Sequence, residues 1–142
     1  MLIFLDFDGV LRRKDAPFDR FERPLLRTFE AAVRRIPEAR IVITSTWREV
    51  VDFVGLRKLF SLDVAERIVG VTPILPGGRY REVQAYLAEH SAETIAWVGI
   101  DDDPVSYPRG APVILVDPAR GFGPEEGRRL EEMARAFRKP RA

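Results

Sequence analysis

Two acidic residues near the start of the chain have types and a spacing that could do chemistry. Asp6 and Asp8 stand directly behind an apolar run in the stretch LIFLDFDGVL. Residues i and i+2 at the end of a strand point to the same side, so the carboxylates would crowd together unless a cation offsets their charge. One acid of such a pair can act as nucleophile while the other transfers protons. The alternative is that both residues only cap a turn.

Polar residues also follow two later apolar runs. Thr44 and Ser45 come after residues 41–43, and three successive acids, residues 101–103, come after residues 95–100. In an open parallel sheet, ligands bind at the carboxyl ends of the strands, so these residues would share one edge with the first two acids. Acid clusters on one edge repel each other, and a bound Mg²⁺ is the usual way to make them tolerable.

The elements that must position these residues alternate between strands and helices. Apolar, β-branched runs predict buried strands at residues 2–5, 41–43, 67–71, 95–100 and 113–116. Helical spacing of apolar residues predicts helices at residues 24–36, 48–60, 80–90 and 124–137. Strands that alternate with helices pair in parallel through right-handed crossovers, which predicts an α/β sandwich.

Length and composition favour one globular domain. The chain has 142 residues, of which 46% are hydrophobic and 32% are charged. We expect the domain to cover residues 1–138 and residues 139–142 to form a short tail. The net charge of +1 gives no global reason to bind nucleic acid or membranes, and the absence of cysteine excludes disulfides and thiolate metal sites. No basic segment precedes the first apolar run, so we expect no signal peptide and a cytoplasmic location.

Four motifs together resemble those of the haloacid dehalogenase-type (HAD) phosphohydrolases. They are DFDGV, IVITST, GGRYREV and VGIDDDP, which occur in the family's order between residues 2 and 104. The stretch STWR further resembles the small capless HAD domains associated with RNA-repair proteins. The resemblance implies a Rossmann-like three-layer α/β/α sandwich with a parallel five-stranded sheet of order 3-2-1-4-5 and no cap domain. It also implies Mg²⁺-dependent hydrolysis of phosphate monoesters through an aspartyl-phosphate.

The resemblance implies a role for each residue of the first two motifs. Asp6 would be the nucleophile, and Asp8 would act as general acid and then as general base. Gly9 would let the chain turn sharply beside the substrate. Thr44 would hold a phosphoryl oxygen with help from Ser45, although such residues also cap helices.

The predicted metal ligands are Asp6, Asp8 and Asp101, with Asp8 contributing its main-chain carbonyl. These oxygen donors, with no His or Cys nearby, suit Mg²⁺ better than Zn²⁺. Asp102 is expected to orient its neighbours rather than to bind the metal directly.

The basic residue of the third motif has two candidates. In the family it is a Lys or Arg near the start of the helix that follows the third strand. Arg79 is the favoured residue and Arg81 is its competitor. An arginine at this position could bind carboxylate or phosphate oxygens bidentately.

Access to the site depends on the missing cap. Neither residues 11–21 nor residues 48–79 have room for an inserted domain of about 50 residues beside the predicted elements. The cleft should therefore be open, and a terminal phosphate of a nucleic acid could enter it. Four basic residues would then meet the substrate or its neighbouring phosphates, namely Arg12, Arg13, Lys14 and Arg48.

Two other functions remain open at this point, and a third is disfavoured. The protein could be a phosphatase of small nucleotides or metabolites, or a HAD-like module that binds phosphate without turnover. A receiver-like signalling domain also clusters acids on a parallel sheet. Its phosphorylated Asp follows the third strand, however, and residues 67–73 contain no acid.

Overall fold

A five-stranded parallel sheet forms the centre of the molecule. The computed structural model describes residues 1–139, and its strands are β1 Leu2–Leu5, β2 Arg40–Ile43, β3 Ile68–Val71, β4 Trp97–Asp101 and β5 Val113–Leu115. They lie in the order β3-β2-β1-β4-β5, and each neighbouring pair is parallel. This confirms the predicted fold class and strand order. Since β1 lies in the middle, the acids behind it stand at the centre of the carboxyl edge.

Helices cover both faces of the sheet. They are α1 Arg23–Arg34, α2 Phe53–Arg57, α3 Leu62–Ala65, α4 Arg79–Glu89 and α5 Pro124–Arg138, and a 3-10 helix at Thr46–Glu49 precedes α2. Proline occupies the first turn of both α1 and α5, where its missing N–H costs no hydrogen bond.

The apolar side chains of β1 alternate between two cores. Ile3 and Leu5 belong to the cluster that holds Phe29 of α1 and Leu130 of α5. Phe4 points to the other face, into the cluster of α4. Each fully buried side chain of this size contributes about 1.5–3 kcal/mol, so the core holds the central strand firmly and fixes the residues that follow it.

The segment between β2 and β3 differs from its prediction. One helix was expected over residues 48–60, but the chain forms the 3-10 helix, α2 and the additional short helix α3. Asp52 starts a new helix because its side chain accepts the N–H of Gly55 at 2.8 Å. The apolar spacing was misleading there, since Val50 is 86% exposed and Val54 is 58% exposed.

The two segments in which an inserted cap domain could occur contain no such domain. Residues 6–22 contain no helix, and residues 44–67 hold only the three short helices. Within residues 1–139, no helix is both long and apolar enough to cross a membrane. The cytoplasmic location stays a prediction. Of the expected tail, residues 140–142 lie outside the described residues.

Candidate active site

The carboxyl edge of the sheet brings the predicted site residues together. Asp6 follows β1 and donates its N–H to the carbonyl oxygen of Ile100 at 3.1 Å. Thr44 follows β2 in the same way, and Asp101 is the last residue of β4. An open cleft of about 310 Å³ lies over this edge, and its walls include Asp6, Asp8, Thr46, Arg79, Asp101 and Asp102.

Arg79 pairs with two carboxylates of the cleft. It begins α4 directly after two glycines with positive φ, a backbone conformation that glycine adopts at little cost. Its Nη1 lies 2.7 Å from Asp101 Oδ2 and 3.3 Å from Asp6 Oδ1. Arg81 is exposed on the same helix. The structure therefore places Arg79, and not Arg81, beside the first motif.

Burial perturbs the acids of this cluster. Burial raises the pKa of Asp6 to about 7, with Arg79 opposing the rise and Asp101 adding to it. Burial likewise raises the pKa of Asp101, again against Arg79. Burial disfavours charged Arg79, but the two acids outweigh this and leave its pKa raised. One guanidinium offsets one of the two buried charges, so the site favours a further cation.

Three carboxylates could hold that cation. One oxygen each from Asp6, Asp101 and Asp102 lies within 4.8 Å of the other two. The donors are hard oxygens, which suit Mg²⁺, so the residues present fit the predicted cofactor. Asp102 thus offers a third carboxylate, a role not predicted for it. The contribution of Asp8 through its main-chain carbonyl stays a prediction.

The side chain of Asp8 is held by two donors that do not belong to the acidic cluster. Its Oδ1 accepts a hydrogen bond from Arg12 Nη1 at 3.0 Å, and its Oδ2 accepts one from Trp47 Nε1 at 3.1 Å. Arg12 is itself fixed, because Nε donates to the Phe18 carbonyl oxygen and Nη2 to that of Ala16. Each carboxyl oxygen has two lone pairs, so Asp8 can carry a proton without losing either contact.

Gly9 lets an acid from the fourth motif approach the first. Its φ is +81°, and a Cβ at this position would lie 2.3 Å from Asp102 Oδ2. Lys14 Nζ lies 3.3 Å from that same oxygen, and this hydrogen bond raises the pKa of Lys14. The sharp turn predicted at Gly9 is confirmed, and its contact with substrate stays a prediction.

Two buried polar atoms at this edge have no protein partner among the described residues. They are the hydroxyl oxygen of Thr44 and Nε of Arg79. Unpaired buried polar groups are costly, so a ligand oxygen at this position would be stabilising. Ser45 differs, because its Oγ accepts the N–H of Trp47 at 3.2 Å and caps the 3-10 helix. Ser45 therefore has the capping role, and its help with phosphate stays a prediction.

The contacts of Arg48 contradict its predicted role as a substrate ligand. Its side chain is 3% exposed. All five N–H groups are used: they donate to Glu82 Oε2 at 2.7 Å and to four main-chain carbonyl oxygens, those of Thr44, Ser45, Thr72 and Pro73. Arg48 thus ties the ends of β2 and β3 to α4 and has no free donor for a phosphate.

The residues of the predicted basic run beside the first motif also form intramolecular contacts. Arg12 is committed to Asp8 and to loop carbonyls, as described above. Arg13 forms a bidentate pair with Glu22, in which Nε donates to Oε2 and Nη2 to Oε1, and Lys14 pairs with Asp102. The run therefore does not form the free cationic surface that was expected, because each of its three residues forms an ion pair with a nearby acid.

Three residues in or near the cleft were missed or undervalued from the sequence. Trp47 was not among the predicted site residues, yet its indole N–H donates to Asp8. Arg12 was expected to meet substrate phosphates and instead binds Asp8, and its place four residues after that acid was a usable signal. Tyr107 was not singled out. Its hydroxyl is buried without a partner among the described residues, and burial and Asp101 raise its pKa.

Comparison with known proteins gives one finding. A family model described as the HAD domain in Swiss Army Knife RNA repair proteins matches residues 2–126. The match runs from β1 to the first turn of α5 and includes every residue of the cleft. No curated protein matches the chain, and no solved structure does.

Proposed function

The chain belongs to the family of HAD domains in Swiss Army Knife RNA repair proteins, and on that premise we propose that it hydrolyses phosphate monoesters with Mg²⁺ through an aspartyl-phosphate. The observation that carries this proposal is the environment of Asp6. It stands at the end of the central strand, next to Arg79 and two further carboxylates, and the unpaired Thr44 hydroxyl lies at the neighbouring strand end.

The proposed reaction has two displacements. In the first, an Asp6 carboxylate oxygen bonds to phosphorus while the bond from phosphorus to the ester oxygen breaks, and Asp8 gives its proton to the departing oxygen. In the second, Asp8 takes a proton from water, whose oxygen bonds to phosphorus as the bond to Asp6 breaks. Inorganic phosphate leaves, and both acids return to their starting states.

The other residues of the cleft would bind the phosphate and the metal ion. Arg79 and the Thr44 hydroxyl would bind phosphoryl oxygens. The positive charge of Arg79 would reduce the repulsion between the phosphate and the Asp6 carboxylate. Asp6, Asp101 and Asp102 would hold Mg²⁺, with the main-chain carbonyl of Asp8. When bound, the ion supplies positive charge that favours ionised Asp6 and screens the incoming phosphate.

A terminal phosphate of a nucleic acid is the proposed substrate. The cleft is open, so the end of a polymer can enter it. The printed description of the family refers to RNA repair proteins, which supports the same class. Both 5′ and 3′ phosphates fit the proposed chemistry.

Turnover of p-nitrophenyl phosphate with Mg²⁺ and with excess chelator tests the reaction. We expect activity with Mg²⁺ and its loss with chelator, and full activity in chelator would contradict the metal requirement. A phosphorylated oligonucleotide and the matching mononucleotide are then compared by kcat/KM at low and moderate salt. If the mononucleotide is preferred tenfold or more at both salt concentrations, a small-nucleotide phosphatase replaces the polymer proposal.

A further inference from the structure

A basic groove lies beside the cleft. It consists of two adjoining cavities of about 500 Å³ and about 570 Å³, which share Arg20, Phe21 and Arg23 in their walls. We define the basic groove by Phe18, Arg20, Phe21, Arg23, Arg27 and Lys58.

The four cations of the basic groove are free. Among the described residues, the side chains of Arg20, Arg23, Arg27 and Lys58 form no ion pair and no hydrogen bond, and all four are exposed. Several other surface arginines are neutralised, for example in the pairs Arg13–Glu22, Arg34–Asp63 and Arg35–Glu131. The basic groove therefore retains a positive charge that the basic run beside the first motif has lost.

The acids of the basic groove are largely occupied. Glu30 is buried and accepts hydrogen bonds from the N–H and hydroxyl of Ser61, both at 2.8 Å. Glu22 is paired with Arg13. Asp19 remains exposed, 3.8 Å from the Arg12 guanidinium. The groove thus attracts a ligand that carries several negative charges.

An exposed aromatic ring adds a stacking surface. Phe18 is 60% exposed, and the Arg20 guanidinium lies 4.8 Å from the centre of its ring. Phe21 is stacked on Trp47, with ring centres 5.5 Å apart. Exposed aromatic and guanidinium planes bind unstacked bases, which a single strand offers and a duplex does not.

The basic groove adjoins the wall of the cleft that holds Asp8. Trp47 lines the groove and donates its indole N–H to Asp8. Arg12, the other donor to Asp8, binds the carbonyl oxygens of Ala16 and Phe18 at the groove's other end. A strand that leaves the cleft on this side meets the free cations next.

We propose that the basic groove binds the single-stranded nucleic-acid segment next to the terminal phosphate, an inference that rests on the proposed function. Several separated free cations match the repeated phosphates of a strand, and the exposed Phe18 matches its bases. A mononucleotide in the cleft would leave the groove empty. The preference for a polymer therefore comes from this groove and not from residues 12–14.

The test compares two double variants with the same spacing and charge change. Arg23→Glu with Arg27→Glu reverses two groove cations, and Arg135→Glu with Lys139→Glu reverses two exposed cations at the end of α5. Affinity for a fluorescent single-stranded octamer with a terminal phosphate is measured by anisotropy, as RNA and as DNA, over a salt series. The ratio of kcat/KM for the octamer to kcat/KM for p-nitrophenyl phosphate is measured as well, and thermal melts verify folding.

We expect the groove variant to bind the octamer at least tenfold more weakly and to lower the kcat/KM ratio to a similar extent. Its salt slope should fall by about 1.4, since each lost phosphate contact removes roughly 0.7 for a single strand. The α5 variant should match the wild type within about twofold. A milder Arg23→Gln with Arg27→Gln variant should lie between the two.

The remaining outcomes separate the two proposals. Equal octamer binding by the groove variant and the α5 variant overturns the groove, and so does a wild type that turns over p-nitrophenyl phosphate but binds no octamer at low salt. If no monoester is hydrolysed but octamer binding still depends on the groove cations, the proposed function fails and the strand-binding surface stands. Tighter binding of duplex than of single strand also overturns the inference.

Discussion

Asp6 and Asp8 are two residues apart in the chain but lie in different surroundings. The side chain of Asp6 is 10% exposed and is balanced by the ion pair with Arg79. The side chain of Asp8 is 35% exposed, and a different cation, Arg12, and a neutral indole N–H of Trp47 hold its two oxygens. Identical side chains thus receive different partners from different parts of the chain.

The difference between the two acids supports the proposed division of their roles. Asp6 lies in the acidic cluster that could bind a cation, which suits a group that must approach phosphate as an anion. Asp8 lies outside that cluster and keeps partial access to solvent, which suits a group that exchanges protons with a leaving group and with water. In the proposed mechanism the division of roles therefore depends on the neighbours of each acid and not on the DFDG motif alone.

Replacing the nucleophile should have the largest effect. Asp6→Asn should reduce turnover of p-nitrophenyl phosphate to background, because an amide cannot form the aspartyl-phosphate. Asp52→Asn is a suitable control, since Asn caps a helix as well as Asp does and α2 should remain intact. Wild-type rates in Asp6→Asn would overturn the nucleophile assignment.

The second acid should tolerate replacement better. Asp8→Asn should lower kcat by roughly 10²–10⁴-fold, the usual contribution of general acid–base catalysis, because the phosphoryl group can still reach Asp6. Single-turnover kinetics check this, and the loss should be greatest for esters with poor leaving groups. An Asp8→Asn loss as complete as that of Asp6→Asn would remove the distinction between the two acids.

A third prediction concerns Arg48, which was expected to contact the substrate but is buried between the ends of β2 and β3 and helix α4. Arg48→Met should lower the free energy of unfolding by about 3–5 kcal/mol, because it leaves buried Glu82 and several carbonyl oxygens without their donor. Arg34→Met, which breaks an exposed pair with Asp63, should cost about 1 kcal/mol or less. Chemical denaturation measures both, and a stable Arg48→Met with a raised KM would restore the substrate role.

The parts of the molecule that the sequence predicted share a physical basis. The strands follow from apolar runs, and Asp6, Thr44 and Asp101 follow directly from the ends of those strands, whereas the strand order came from the family resemblance. The position of Arg79 follows from the glycines before α4 together with the family resemblance, which places a Lys or Arg near the start of this helix. Burial and the backbone decide the strands locally, so a single sequence contains the signal for them.

The parts that the sequence missed depend on contacts between distant segments. Arg48 and Arg13 have the same charge in the sequence, and only the fold shows that one is buried against Glu82 and the other paired with Glu22. The apolar spacing that includes Val50 and Val54 predicted one helix over residues 48–60, but the fold leaves these two side chains exposed. Trp47 packs against the core, and its N–H donates to Asp8, a residue 39 positions away.

The smallest predicted effect tests whether Trp47 positions Asp8. Trp47→Phe keeps a ring beside Phe7 and Phe21 but removes the N–H that Asp8 accepts. A hydrogen bond to a charged group contributes about 1.5–3 kcal/mol, and the remaining Arg12 contact retains part of the orientation, so we expect roughly a tenfold loss of kcat on an alkyl phosphate. On p-nitrophenyl phosphate the loss should be smaller, because nitrophenolate leaves without a proton from Asp8.

Phe60→Leu, in the same aromatic cluster but without a contact to Asp8, should change both rates by the same factor. Equal losses on the two esters in Trp47→Phe would show that the indole only packs against its neighbours. Arg12 alone would then position the side chain of Asp8.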